Sequence, residues 1–373
     1  MVRQTIKAVL LPTEQAIPGH GMIVLTLAAL LFVVWSVPAV AQPIAVRSDF
    51  IRELTLPGMT DQFQRPGRVV FDAVAGEIFV ADQGNNRIVI FDSDGSYRFE
   101  FNLADRVGSI VDFAVSPEGY IYVLGSTREG RKLFRYDFDG IFIGEFAAEV
   151  LSDQALDLTS VATDAESRVF VLDDSAPQVL MFSADGELSA TIPVFSGIQR
   201  SATTELVLGT LSATDEGFLL PASSLGMVYH YSRSGEHLKT YGYKGTTTGE
   251  LAFPVSAAIM ASGLVTVLDK QRFAVLCYSP EGKCLGEFGG KGRNPGWFYF
   301  PTYLAVDRSD RTIISQVFRN RVQICRIPDA IAERFVPATT SDVGGNPNRQ
   351  IHDKTELSDL VGHSQHTSNE GGL

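Results

Sequence analysis

The chain has 373 residues, of which 45% are hydrophobic and 20% are charged, and its formal net charge is −12. This composition is that of a folded globular protein with a sizeable core rather than of a disordered chain. Because nucleic acids and anionic membrane surfaces are bound through basic patches, the acidic balance disfavours both as partners.

The first 41 residues are typical of an export signal. Two basic residues precede an apolar run of 16 residues at 22–37, and Ala-Val-Ala at 39–41 fits a cleavage site before Gln42. As a helix the run would span about 24 Å, which is short for a membrane-spanning helix of roughly 20 residues. We expect residues 1–41 to be a signal peptide, and its removal would leave no membrane span. The mature protein is then expected to be periplasmic or extracellular. The alternatives are an uncleaved membrane anchor and a start at Met22.

From residue 49 onward, short apolar runs alternate with turn signals in a repeat of about 47 residues. The clearest copies are GYKGTTTGELAFP from Gly242 and GGKGRNPGWFYFP from Gly289, whose glycines and final prolines lie 47 residues apart. The glycines of five predicted hairpins repeat with about the same period, and these are Gly95, Gly140, Gly186, Gly235 and Gly282. Four short strands in each such repeat are typical of the blades of a β-propeller.

The repeats predict an all-β fold at 42–328, a six-bladed β-propeller with four-stranded antiparallel blades. The sixth repeat stops after its third strand, at 322–327, and we expect an N-terminal strand at 50–56 to pair with this last blade and close the ring. An open solenoid is the alternative to this closed, monomeric ring. A short helix-like extension is predicted at 329–338, followed by a disordered polar tail at 339–373.

Residues 78–95, IFVADQGNNRIVIFDSDG, resemble the NHL repeat in the strand, the Asp82 position, the Gly-Asn-Asn turn, Arg87 and the Asp-x-Asp-Gly hairpin. The resemblance covers about 49–327 and is weakest in the second and fourth repeats, where other residues replace the turn. It implies an exported bacterial NHL-repeat propeller. Such propellers are binding platforms more often than enzymes, so the resemblance favours binding without deciding it.

The connections between blades and the loops between second and third strands are expected to share one face of the ring, which we call the linker face. Its cationic and aromatic residues are the predicted surface for a protein, peptide or polymer partner, and these are Arg87, Lys244, Lys291, Arg293, Trp297 and Tyr299. Phe298 and Phe300 are repeat positions and are predicted to lie in the core, so Trp297 and Tyr299 would point outward from an extended segment. Arg87 has a second, structural interpretation, in which it pairs with an acid.

No catalytic residue and no cofactor is predicted, because the sequence has no G-x-S-x-G elbow, P-loop or dinucleotide fingerprint. The alternative function is a metal-dependent hydrolase or lactonase with a divalent cation in the central channel. Its candidate ligands are Asp112 and Asp157, which are otherwise turn and strand-end residues. Cys277 and Cys284 flank a predicted turn, and they form either a disulfide or two buried apolar side chains.

Overall fold

The computed structural model describes residues 42–58, 61–152, 155–196 and 205–335. The predicted signal peptide at 1–41 and the predicted tail at 339–373 lie outside the described residues, as does the end of the predicted extension, at 336–338. Among the described residues, no helix is long and apolar enough to cross a membrane.

Six sheets form the blades, and in each blade the first strand along the repeat lines the centre of the ring. The first two strands of the chain are β1 (Ile44–Val46) and β2 (Asp49–Glu53). Blade 1 contains β3 (Pro66–Asp72), β4 (Glu77–Asp82), β5 (Arg87–Asp92) and β6 (Tyr97–Asn102). Blade 2 contains β7 (Ser109–Val115), β8 (Ile121–Thr127), β9 (Gly130–Tyr136) and β10 (Phe142–Glu145), and α1 (Ala148–Leu151) follows it. Blade 3 contains β11 (Leu158–Thr163), β12 (Val169–Asp173), β13 (Gln178–Phe182) and β14 (Leu188–Pro193).

The remaining blades follow the same order. Blade 4 contains β15 (Ser212–Ala213), β16 (Gly217–Ala222), β17 (Met227–Ser232) and β18 (His237–Tyr241). Blade 5 contains β19 (Pro254–Ile259), β20 (Val265–Asp269), β21 (Ala274–Tyr278) and β22 (Cys284–Gly289). Blade 6 contains β23 (Pro301–Val306), β24 (Arg311–Gln316) and β25 (Arg321–Arg326), and α2 (Asp329–Ala332) follows it. The all-β, six-bladed prediction is confirmed.

The N-terminal strand closes the ring as predicted. Strand β2 pairs antiparallel with β25, so that Phe50 lies opposite Cys325, and the sheet order of blade 6 is β2-β25-β24-β23. Blade 6 therefore obtains its fourth strand from the other end of the chain, and β25 is not left as an open sheet edge.

Strand β1 was not predicted. It pairs in parallel with β22 and makes blade 5 five-stranded, with Val46 opposite Phe288. Ile44 and Val46 pack against the core that contains Ile331 of α2. Gly286 leaves the space for this segment, because a Cβ there would lie 2.8 Å from the Ile44 carbonyl oxygen. One N-terminal segment thus covers the outer edges of blades 5 and 6.

The repeat is visible in the backbone. The five hairpin glycines have φ values between +77° and +93°, and each precedes a bulge between the third and fourth strands of its blade. This geometry requires glycine, because a side chain is strained in the left-handed region. The bridges Lys244–Leu251 and Lys291–Phe298 are also equivalent, since they lie 47 residues apart.

The bulge in blade 5 also sets the register of the cysteines. It places Cys284 opposite Tyr278 and Cys277 opposite Gly286, so the two cysteines are not directly opposed. Both are free thiols, as is Cys325. Burial raises the pKa of the Cys284 thiol to about 11. The structure thus shows no Cys277–Cys284 disulfide, and Cys277 is a buried apolar side chain.

Each pair of neighbouring blades encloses an apolar core. Five of these cores contain 12 to 14 buried residues among those described, whereas the core between blades 4 and 5 contains nine. The interface between blades 4 and 5 therefore has the least apolar packing in the ring.

Candidate functional site

Arg87 is held by three carboxylates. Its guanidinium lies 2.9 Å from Asp82, 2.7 Å from Asp61 and 2.8 Å from Glu100, and its side chain is only 11% exposed. Burial opposes the charge of Arg87, but the hydrogen bonds to these acids outweigh burial and raise its pKa. Asp82 also accepts the Gln64 N–H and the Asn85 amide. The structural interpretation of Arg87 therefore holds, and this residue is not a free cation on the linker face.

Other cations on the linker face divide into paired and unpaired groups. Arg131 pairs with Asp157, Lys132 with Glu129 and Glu145, and Arg272 with Glu287. In contrast, Lys244, Lys291 and Arg293 are exposed and have no ion pair among the described residues. These three cations, from the connections that flank blade 5, can face a partner.

Four aromatic side chains, three of them half-buried and one exposed, form a continuous cluster beside these cations, which we call the aromatic patch. The patch consists of Phe273, Tyr299, Phe300 and Phe318. Ring centroids lie 5.1 Å apart for Phe273 and Phe300, 5.0 Å for Tyr299 and Phe300, and 5.6 Å for Phe300 and Phe318. Phe318 is 67% exposed, and the Lys291 ammonium lies 5.4 Å from the Phe273 ring. Such a surface can stack on planar or apolar groups of a partner.

The backbone of the patch is strained at two positions. Phe273 and Phe300 have φ values of 59° and 47°, in the left-handed region that bulky side chains avoid. The residue equivalent to Phe273, which directly precedes the third strand, is left-handed in three other blades. These equivalents are Asn86, Gly226 and Asn320, all of residue types that tolerate this conformation. Blade 5 thus places a phenylalanine where blades 1, 4 and 6 use asparagine or glycine.

The segment around Trp297 differs from its prediction because the left-handed Phe300 breaks the alternation of an extended strand. Phe298 is fully buried as expected, but Phe300 lies in the aromatic patch and not in the core. Trp297 is half-buried and packs on the glycine loop, where a Cβ at Gly292 would lie 2.8 Å from it. The Arg47 guanidinium lies 5.9 Å from its ring. Of the predicted aromatic pair, Tyr299 belongs to the aromatic patch.

Asp112 lies in the central channel, within a hydrogen-bonded network. It accepts the Ser160 hydroxyl at 2.6 Å and the Val161 N–H at 3.0 Å, and Arg68 lies 3.5 Å away. Arg68 also donates to the Leu211 carbonyl, so the network links the inner strands of blades 1, 2 and 3 to the start of blade 4. Burial raises the pKa of Asp112, and Arg68 and the hydrogen bonds oppose that shift.

Asp157 is not part of this network. It is exposed and pairs with Arg131 at 2.6 Å. Among the described residues, no three His, Cys, Asp or Glu side chains are grouped so that they could hold a metal ion. The structure therefore does not bring the two predicted ligands to one site.

Blade 4 buries a histidine at a position where blades 1, 5 and 6 bury an apolar residue. His230 is the fourth residue of β17, and its Nε2 lies 3.1 Å from the Thr214 hydroxyl. The corresponding residues of blades 1, 3, 5 and 6 are Ile90, Met181, Cys277 and Ile324. Burial lowers the pKa of His230 from 6.5, and the charge of Glu216 opposes this shift. The folded protein thus favours a neutral imidazole here.

The free energy of unfolding should fall on acidification because of His230. Its lowered pKa means that below pH 6.5 the unfolded chain binds a proton that the folded protein does not. We expect His230→Ile to reduce the slope of the free energy of unfolding against pH below about pH 6.5, by at most about 1.4 kcal/mol per pH unit. Urea unfolding over this range measures the slope. Variant His237→Gln is the control, because His237 is exposed; equal slopes in both variants would contradict the assignment.

Sequence reasoning missed Phe273 and Phe318. Phe273 could have been identified from the sequence, because an alignment of the repeats places it at the position of the asparagines that precede the third strands of blades 1 and 6. Phe318 had none, since it lies in a short 3₁₀ turn, Val317–Arg319, that the repeat pattern does not specify.

Comparison with known proteins supports the repeat assignment. Residues 63–91 match the family model of the NHL repeat. The match spans β3, β4 and most of β5, and it includes the Asp82–Arg87 pair. The chain is also 26% identical to the protein brain tumor of Drosophila melanogaster over 134 residues, which are 35% of this chain and 12% of that protein. The aligned part is therefore a small share of that relative's length.

Several solved structures share the fold. A protein of unknown function from Bacteroides thetaiotaomicron is 12% identical with a TM-score of 0.54, over 76% of this chain and 75% of that chain. A streptogramin B lyase is 11% identical with a TM-score of 0.52, over 75% and 98% of the two chains. A catalytically inactive virginiamycin B lyase from Staphylococcus aureus, solved with quinupristin, is 12% identical with a TM-score of 0.51, over 74% and 88%. These likenesses show the fold alone, which fits a binding platform and leaves an enzymatic function open.

Proposed function

We propose that this chain is an exported, non-enzymatic NHL-repeat propeller that binds a protein, peptide or polymer partner in the cell envelope or outside the cell. The aromatic patch is the binding surface in this proposal. One observation carries it: two phenylalanines of the patch occupy left-handed backbone positions, and their half-buried rings pack edge to face, 5.1 Å apart, beside the exposed Phe318.

The energetics favour a functional origin for this arrangement. A left-handed conformation at a residue that is neither Gly nor Asn is unfavourable by about 1–2 kcal/mol. Such strain is concentrated at sites that bind ligands or carry out chemistry. The fold alone does not require Phe273, since three other blades use Asn or Gly at the same place.

The unpaired cations indicate the chemistry of the partner. Lys291 lies over Phe273, and Lys244 and Arg293 lie on the same face. A partner that stacks on the patch would therefore carry negative charge next to its planar or apolar groups. An acidic peptide or an acidic polymer fits this description, whereas a basic partner would be repelled.

The alternative, a metal-dependent hydrolase, receives no support from its two predicted ligands. The Asp112 carboxylate already faces Arg68, Ser160 and the Val161 N–H, and Asp157 pairs with Arg131 on the linker face. We therefore propose binding rather than hydrolysis.

Binding is tested with two variants that each remove one exposed phenylalanine. Phe318 is 67% exposed in the patch, and Phe138 is 65% exposed on a hairpin of blade 2. We expect Phe318→Ser to weaken capture of a partner from envelope extract by about tenfold, because stacked aromatic contacts dominate such surfaces, while Phe138→Ser leaves capture unchanged. Quantitative mass spectrometry of material bound to the immobilised proteins measures the difference. Equal capture by both variants, or turnover of a small molecule by the pure protein without any partner, would overturn the proposal.

Export is tested on the protein recovered from cells. We expect the mature chain to begin at Gln42 and to fractionate outside the cytoplasm, because the Ala-Val-Ala sequence precedes this residue. N-terminal sequencing of the purified protein measures the start. A chain that retains residues 1–41 and sediments with membranes would instead support the uncleaved anchor.

A further inference from the structure

A groove lies between blades 4 and 5 on the face of the ring opposite the linker face. Its volume is about 730 Å³, within the range of about 300–1,000 Å³ that small-molecule sites have. Four of its lining residues, Ser212, Ala213, Ala258 and Val306, also line a cavity of about 200 Å³ in the central channel. The groove therefore runs from the outer hairpins of the two blades to the mouth of the channel. We call it the blade 4–5 cleft.

The cleft exists because the two blades are incompletely packed against each other. The inner strand of blade 4, β15, has only two residues, whereas the inner strands of the other blades have six or seven. Small residues line the channel end of the cleft, and the core between these blades is the smallest of the six. The space that apolar side chains fill at other interfaces is left open here.

The walls of the cleft are mainly apolar. Leu238 of β18, Ile259 and Met260 at the end of β19, Val265 of β20 and Pro280 form most of them. The buried imidazole of His230 adds a polar group, whose Nε2 lies 3.1 Å from the Thr214 hydroxyl. A mainly apolar cleft lined by a few polar groups, here including the buried His230 and Tyr241, is the usual composition of a site for a small organic ligand.

The charge at the cleft is negative. Asp215 and Glu216 follow β15 at its mouth and are both exposed. The negative charge of Glu216 acts on two side chains within the cleft. Burial lowers the pKa of His230, and Glu216 opposes this shift. Burial raises the pKa of Tyr241, and Glu216 adds to this shift. Lys239 is the cation of the lining, and its charge acts on Glu281 at the outer end. The mouth of the cleft beside Asp215 and Glu216 therefore favours a positive ligand group.

We propose that the blade 4–5 cleft binds a small apolar organic cation, an alkyl- or arylamine, with its apolar body between the two blades and its ammonium group facing Glu216 and Asp215. The His230 imidazole and the Tyr241 ring then line the cleft beside the ligand. This site lies on the opposite face from the aromatic patch and is independent of the proposed partner binding. Neither the NHL-repeat match nor the fold neighbours assign it.

Three probes of the same shape and different charge test the proposal on the purified protein. These are 2-phenylethylamine, the neutral 2-phenylethanol and the anionic 3-phenylpropionate, each titrated by calorimetry and by NMR. We expect the amine to bind several-fold more tightly than the alcohol, because the carboxylates of Glu216 and Asp215 attract its ammonium group, and the acid to bind most weakly. Equal affinities for the three probes, or no detectable binding of the amine at millimolar concentration, would overturn the proposal.

Two variants locate the site. Glu216→Gln should weaken binding of the amine about fivefold and leave the alcohol unchanged, because only the charge is lost. His230→Ile, which introduces the isoleucine that blades 1 and 6 have at this position, should weaken binding of both probes. Glu236→Gln is the matched control, since Glu236 is an exposed acid of the same blade that does not line the cleft. If Glu216→Gln and Glu236→Gln bind the amine as the unchanged protein does, the amine does not occupy this cleft and the proposal fails.

Discussion

A chain that lacks residues 44–53 is expected to lose its single cooperative unfolding transition and to aggregate. The deletion removes β1 and β2 and leaves the outer edges of β22 and β25 unpaired, while the apolar contacts of Ile44 and Val46 are lost from the core of blades 5 and 6. The loss should amount to several kcal/mol, a large share of the roughly 5–15 kcal/mol that stabilises a typical domain. Urea unfolding followed by circular dichroism, together with light scattering, measures the result.

The control separates strand pairing from surface hydrophobicity. Phe50 and Ile51 lie in β2 and are each 37% exposed, so Phe50→Ser with Ile51→Ser changes the surface while the backbone pairing with β25 remains. We expect this double variant to lose about 1 kcal/mol or less. A synthetic peptide of residues 44–56, added to the truncated chain, should restore the cooperative transition by strand addition. A truncated chain that unfolds like the intact one would show that β2 does not close the ring.

Asp112→Ala is expected to reduce the free energy of unfolding by about 3–5 kcal/mol, because it leaves the buried Arg68 guanidinium without its carboxylate. Replacing both partners, in Arg68→Met with Asp112→Leu, should lose much less, since no uncompensated charge is then buried. Urea unfolding of the single and double variants measures the coupling between the two residues.

Asp157→Ala is the matched control for this pair. Asp157 and Arg131 form an ion pair whose side chains are 55% and 36% exposed, so we expect a loss of at most about 1 kcal/mol. Equal small losses for Asp112→Ala and Asp157→Ala would contradict a structural role of the channel network. If the Arg68→Met, Asp112→Leu protein folds but an activity of the unchanged protein disappears, the hydrolase alternative gains support over the binding proposal.

The fold was predictable because its signals are local and repeated. Each hairpin glycine carries its own left-handed requirement, and a period of about 47 residues supplies the blades without knowledge of any long-range contact. Even the closing strand β2 could be inferred, since the last repeat lacked one strand. Strand β1 could not be inferred, because three residues that add in parallel to an outer edge depend on the space at Gly286 and on α2.

The candidate site was predictable only in part, because pairing between loops of different blades decides which charges are free. Arg87 and Lys291 look alike in sequence, yet Arg87 meets Asp61, Asp82 and Glu100 whereas Lys291 lies over an aromatic ring. A change of backbone region at one residue, Phe300, was enough to move its side chain from the predicted core to the half-buried aromatic patch. Repeat alignment could have identified Phe273, but no local pattern indicates Phe318.

The small core between blades 4 and 5 has a consequence for how the ring moves. Local opening is easiest where the fewest apolar contacts must be broken, and nine buried residues join these blades against 12 to 14 elsewhere. Strands β1 and β2 cover the outer edges of blades 5 and 6. The ring should therefore open first at the interface between blades 4 and 5 rather than within blade 6, where it is closed. Amide protons of β15 and β19 should then exchange with solvent sooner than those of the other inner strands. The interface between blades 4 and 5 is thus the weakest in the ring, whereas the ring is closed in blade 6 by the pairing of β2 with β25.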